Sequence, residues 1–176
     1  MKNIKLIKYI FIILMFVLPN ITYSNSNIYF LDMNYIMNNS LAGKSILNQL
    51  EKKKKSNFTL LGKEVDLLKK EEIKISSQKN ILSKDEFEKK FQLLRKKFSD
   101  FNIKKDRINN DLSKKSVLAR NKLLTEMQLI LSEYAKKNDI SYVVRKESII
   151  IGKNELNLTN IIIKLMDSKI KNIKLI

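Results

Sequence analysis

Residues 83–134, SKDEFEKKFQLLRKKFSDFNIKKDRINNDLSKKSVLARNKLLTEMQLILSEY, decide the fold. Phe87, Phe91, Leu94, Phe98, Phe101, Ile108, Leu112, Ala119, Leu123, Met127, Ile130 and Tyr134 recur at steps of three, four and seven. That spacing lines one face of an α-helix, with Lys105 and Lys115 as its polar interruptions. Ser83-Lys84-Asp85-Glu86 matches the S-x-x-E capping box, in which serine and glutamate satisfy each other's free amides at a helix start. Neither glycine nor proline occurs between Gly62 and Gly152. The spacing therefore predicts one very long helix ending near Lys137-Asn138-Asp139.

Immediately before it, residues 79–84 around Asn80-Ile81-Leu82-Ser83 read as a turn. A second lysine-rich helix is predicted from Leu41 to about Gln78. Phe58, Leu61, Val65, Leu68 and Ile75 form its stripe, with Glu72 as the one polar interruption. Leu47, Leu50 and Lys54 precede them, so the stripe stutters near Lys54. Gly62 costs this helix roughly 1 kcal/mol of propensity. Two striped helices joined at Ser83 bury their stripes by folding back as an antiparallel hairpin. The 38 residues of the first arm would reach ~57 Å. Phe58 and Phe101 are expected to lie roughly opposite each other.

Outside the hairpin the character changes. Ile28-Tyr29-Phe30-Leu31 reads as a strand ended by Asp32, which is placed to cap a turn of helix over Met33–Met37. Ser40 follows a break and is placed to cap the first arm. On the other side, Ile140–Val144 and Ser148–Ile151 read as two strands of a hairpin around Arg145-Lys146-Glu147. Leu158 to about Lys169 reads as a short helix capped by Thr159 or Asn157, with Ile161, Ile162, Leu165 and Met166 buried. The fold class expected is α+β and mostly α. A long helical-hairpin tentacle, residues 41–138, stands on a small β-containing body, residues 25–40 and 139–176. A body of roughly 60 residues is too small to hold a stable core alone. It is expected to oligomerise through exposed strand edges, with Ile28, Phe30, Tyr142, Val144, Ile149 and Ile151 as the candidate residues.

Residues 1–24 read as a cleavable export signal. Lys2, Lys5 and Lys8 precede the apolar run Tyr9–Leu18, Pro19 and Asn20 break it, and Thr22-Tyr23-Ser24 supplies small residues three apart. Ten apolar residues rise only ~15 Å as a helix, half of a bilayer core. Cleavage is expected near Ser24 or Ser26. No cysteine follows the run to be lipidated.

The chain has 3 Gly, 1 Pro, no Cys, no His and no Trp among 176 residues. Few turn residues suit a few long elements. Without Cys or His there is no thiol nucleophile, imidazole base or His/Cys metal set. No cofactor, metal or catalytic residue is expected, and the chain does not read as an enzyme. Gly43-Lys44-Ser45 resembles the tail of a phosphate loop, but Asn38 stands where its first glycine belongs. From Asn25 onward 32 basic and 18 acidic residues leave a net charge of +14. Residues 41–138 hold 25 basic and 13 acidic side chains, so +12 of it lies on the arms. Such a surplus favours anionic partners.

The stretch IYFLDMNYIMNNSLAGKSILNQLEKK resembles the start of mature Skp/OmpH chaperones: a strand, Asp32, a short helix, Ser40, then Ala42-Gly43-Lys44 leading into the long helix. ISYVVRKESIIIG followed by LNLTNIIIKLMD resembles the family's closing hairpin and helix, with Asn157-Leu158-Thr159 replacing its usual D-I-T-like cap. The resemblance spans nearly all of residues 25–170. It implies a periplasmic homotrimer whose strands share one body and whose hairpins project around a cavity. It also implies ATP-independent holding of unfolded outer-membrane proteins. Against this background Phe87 and Phe91 are candidate client contacts. Lys69, Lys70, Lys89, Lys90, Arg95, Lys96 and Lys97 are candidates for contact with client or with an anionic lipid surface. The other reading is a basic coiled-coil protein of the envelope with a structural role or a lipid- or nucleic-acid-binding one. An export signal and the lack of a groove-reading module argue against specific nucleic-acid recognition.

Overall fold

The computed structural model describes residues 28–175, and the export signal expected over residues 1–24 lies outside them. In chain order the elements are β1 (Ile28–Leu31), α1 (Met33–Asn39), α2 (Leu41–Ser77), α3 (Lys84–Lys137), β2 (Tyr142–Arg145) and α4 (Thr159–Lys169). Short 3-10 turns cover Lys146–Ser148 and Asn154–Leu156.

Helices α2 and α3 form the predicted hairpin. The capping box at its tip is complete: Ser83 Oγ accepts from the Glu86 amide at 3.3 Å, and Glu86 Oε2 accepts from the Ser83 amide at 3.2 Å. Hydrogen bonds from the Ser83 hydroxyl and amide hold the Glu86 carboxyl below the usual carboxylate range. Two ion pairs set the register across the hairpin, Lys97–Glu71 at 2.6 Å and Lys104–Glu64 at 2.7 Å. Every residue of the predicted α3 stripe is buried or half-buried. On α2 the stripe holds at Leu61, Val65, Leu68 and Ile75, but not at Phe58, which is 80% exposed. The expected Phe58–Phe101 opposition therefore fails. With Glu64 already opposite Lys104, Phe58 lies further toward the body than Phe101 can reach.

The buried residues fall into two separate cores. A root core gathers Leu31, Ile36, Ala42, Ile46, Ala119, Leu123, Met127, Ile130, Leu158, Ile162, Met166 and Ile173. A distal core holds Leu68, Ile75, Leu94 and Phe101, flanked by Leu61, Val65, Phe87 and Phe98. Between them residues 51–60 of α2 and 102–118 of α3 bury no side chain fully. This waist coincides with the stutter read at Lys54. Side chains of four lysines, Lys52–Lys55, cannot continue an apolar stripe.

The body is organised around Asp32, Ser40 and Thr159. Asp32 caps α1 by accepting from the Tyr35 amide at 2.8 Å, and its other oxygen accepts from Lys146 Nζ at 2.9 Å. Its own amide donates to Thr159 Oγ1 at 2.9 Å. Ser40, fully buried, ends α1 and caps α2 through the Gly43 amide. A β-carbon at Gly43 would stand 2.2 Å from the Met37 carbonyl oxygen, so only glycine allows α1 to fold back this tightly on α2. Asn157 Oδ1 accepts from the Thr159 amide at 3.0 Å at the start of α4. Of the predicted α4 face, Ile162 and Met166 are buried and Leu165 half-buried, whereas Ile161 is exposed.

Strand β1 pairs with β2 in parallel, Ile28 opposite Tyr142 through Leu31 opposite Arg145. The expected antiparallel hairpin of Ile140–Val144 with Ser148–Ile151 is corrected here: the first run supplies β2, and the second forms no strand. Lys146, tied to Asp32, begins a 3-10 turn that diverts the chain. Gly152 then brings it against Phe30, where a β-carbon would meet the ring at 3.2 Å. Ile150 and Ile151 are left 100% and 91% exposed.

Candidate functional site: the arm surface and the open edge of the body

The candidate contact residues of the sequence lie in the distal half of the arm, but they do not form one surface. Phe87 packs on the distal core and stacks on Phe91, with ring centroids 5.9 Å apart and planes inclined by 11°. Arg95 places its guanidinium 4.7 Å from the centre of the Phe91 ring, a cation–π contact. Lys97 is engaged with Glu71, and Lys90 donates to Gln78 Oε1 at 3.1 Å. These residues brace the hairpin. Lys69, Lys70, Lys89 and Lys96 are exposed and make no such contact among the described residues.

A set of residues that shares only Lys70 with those candidates forms another exposed face, and the stripe reading passed over its apolar members. Leu60, Lys63, Leu67, Lys70 and Lys74 are spaced by three and four along α2, within about one quarter-turn of each other. Leu60 is 48% and Leu67 66% exposed. The buried Leu68 and Ile75 lie about a third of a turn around the same helix. Ile73, Leu93 and Ile103 add further exposed apolar side chains between charged ones. The signal in the sequence is a set of leucines and isoleucines off the buried register. The lysine stems beside them can lie along apolar surface while the ammonium groups stay in water.

At the body, the six candidate residues divide by burial. Phe30 is buried under the Gly152 loop, and Val144 and Ile149 are half-buried. Ile28 and Tyr142, opposite each other in the ladder, are 52% and 64% exposed, and Ile151 almost wholly so. The outer edge of β1 is partly closed by Asn157 and by the Leu158 amide, which donates to the Phe30 carbonyl at 3.0 Å. Strand β2 has no second neighbour among the described residues, so its outer backbone groups form an open edge. No group of three or more acidic, histidine or cysteine residues capable of holding a metal occurs among the described residues. No helix among them is long and apolar enough to cross a membrane.

A long helical hairpin on a small body closed by a parallel strand pair defines a class of arm-bearing proteins. Within that class the chain belongs to the OmpH-like outer membrane protein family, which matches residues 27–166. In structure it is similar to an OmpH-like candidate outer membrane chaperone from Caulobacter crescentus CB15, with a TM-score of 0.77 at 16% identity. That likeness covers 84% of this chain and 87% of the other. A search of curated proteins finds no relative of the chain.

Proposed function

We propose that this protein is a periplasmic, ATP-independent holdase that keeps unfolded outer-membrane proteins from aggregating, working as a homotrimer with its arms around a cavity. The observation that carries the reading is the outward face of α2, where Leu60 and Leu67 alternate with Lys63, Lys70 and Lys74 on an arm of the OmpH-like family. Leucines spaced along a cationic surface suit an unfolded chain, because each contact is weak and no single sequence is required. The +12 balance of residues 41–138 keeps such a surface soluble and attracts acidic segments.

Oligomerisation is supported by the body. Its open β2 edge and the exposed Ile28, Tyr142, Ile150 and Ile151 offer backbone pairing and apolar area together. The working protein in this reading begins near Asn25, after cleavage of an export signal, and no chemistry is asked of it. Anionic lipid is a second surface that the lysines would contact, each contributing about 1 kcal/mol close to such a membrane.

The test is suppression of aggregation when a urea-unfolded outer-membrane β-barrel protein is diluted into buffer with the mature protein. Full suppression at near-stoichiometric trimer is expected. It should weaken in the Leu60→Ser/Leu67→Ser double variant while helix content stays constant. A mature protein that leaves aggregation unchanged would remove the holdase reading and leave a structural, charged envelope protein. Light scattering of the mature protein without client should give a mass of three chains.

A further inference from the structure

Beyond α4 the chain crosses the foot of the hairpin in an extended course. Ile170 donates its amide to the Met166 carbonyl at 2.6 Å and ends the helix. Residues 170–175 then run along the first turns of α2. Ile173 inserts into the root core and is 3% exposed. Gln49 reads the backbone on both sides of Lys174: its Nε2 donates to the Ile173 carbonyl at 2.7 Å, and its Oε1 accepts from the Leu175 amide at 3.2 Å. A carbonyl and the amide two residues later face the same way on an extended chain, so one glutamine amide does here what a neighbouring strand would do.

The glutamine is itself held in place. Its Nε2 also donates to the Ser45 carbonyl at 3.1 Å and to Ser45 Oγ at 3.0 Å, one helical turn back. Ser45 Oγ in turn donates to Asn172 Oδ1 at 2.9 Å. On the body side the Leu41 amide donates to Asp167 Oδ1 at 2.7 Å, and Lys169 pairs with Glu133 of α3 at 2.5 Å. The crossing segment therefore touches α2 while its anchor, α4, is bound to both arms.

We propose that residues 170–175 are a strap that clamps the root of α2 to the body and so fixes the direction in which the arm leaves it. Beyond Leu50, α2 runs exposed through Lys55 and has no body element to lean on. Its 37 residues make a lever of ~55 Å, so a load near the tip acts on the root with a long moment arm. Ser45 and Gln49 lie at the last turn where α2 meets the body, where a tie resists that moment best. The strap lies beyond residue 166, outside the part of the chain that matches the family, and it does not depend on the holdase reading.

Hydrogen exchange of the mature protein tests this, comparing it with Ile173→Asp and Gln49→Leu. Amides of residues 45–54 should exchange about tenfold faster in Gln49→Leu, the change expected when the two hydrogen bonds that tie residues 173–175 to α2 are lost. Amides of residues 123–130 in α3 should keep their protection. Spin labels at Asn102 on the arm and Ser148 in the body should show a broader distance distribution in the same variant. Unchanged exchange at 45–54 overturns the proposal. Acceleration of equal size at 45–54 and 123–130 also overturns it, because the segment would then be a general stabiliser. Gln49→Leu leaves Ile173 and the root core intact, so it decides the matter even where Ile173→Asp fails to fold.

Discussion

The root and distal halves of the arm bury similar side chains but are enclosed differently. Around Leu123 and Ile130 the root core is walled by β1, α1, α2, α4 and the strap. Around Leu94 and Phe101 the distal core is walled by the two arm helices alone. A residue lost at the root is felt by every element of the body, whereas one lost distally is felt by a two-helix pair beyond an unpacked waist. Stability should therefore be graded along the arm.

The largest effect expected is on the root. Leu123→Ala should cost about 4 kcal/mol and move the urea midpoint of the whole chain. Leu94→Ala removes the same atoms from the distal core. It should cost about 3 kcal/mol and raise hydrogen exchange mainly in residues 61–101. Equal loss of protection at the root in both variants would break the comparison.

Two helical glycines sharpen it. Gly43→Ala drives a β-carbon into the Met37 carbonyl and should cost about 3 kcal/mol, read from the thermal midpoint. At Gly62 a β-carbon would meet nothing within 4 Å. Gly62→Ala should stabilise the arm by about 1 kcal/mol through helix propensity alone. Smaller still, Ser83→Ala removes the cap at the tip. A loss of about 1 kcal/mol is expected, confined by circular dichroism and exchange to the outer turns.

At the root the pH response comes from Asp32 and Lys146. The hydrogen bond from Lys146, and then that from the Tyr35 amide, hold the Asp32 carboxyl below its ordinary value of 3.8. Asp32 in turn raises Lys146 above 10.5. Asp32's contribution is complete above pH 3.8 and disappears as pH falls through its lowered folded value. That of Lys146 is complete below pH 10.5 and disappears as pH rises through its raised one. Urea midpoints of the wild type and Lys146→Met should differ near neutral pH and converge in acid.

Periodicity made the arms legible. Stripe, breaker-free length and capping box each name the same helix, and none requires knowledge of a distant contact. The Asp32 and Ser40 caps were legible for the same reason, since a cap is local. Ser148–Ile151 was not, because β-branched residues register a preference for a pleated, packed surface and not the presence of a neighbouring strand. Here the neighbour of β2 is β1, and the chain turns away at Lys146. Phe58 was misplaced because the stripe says which face is apolar, not where the facing helix stops packing against it. The outward Leu60 and Leu67 were hidden as noise off the main register. Gln49's hold on the strap could not be read at all: a glutamine on a helix carries no sign of the backbone it will meet more than a hundred residues later.

The parallel pairing of β1 with β2 has a consequence for how the chain folds. Ile28 and Tyr142 are 114 residues apart, a long loop to close at a large entropic cost. The hairpin between them is made of local contacts and closes on its own turn. Once α2 and α3 have zipped from the tip at Ser83 back to the root, the two ends of that loop are already side by side. In that order of events the arm delivers one strand to the other, and the body is expected to form last.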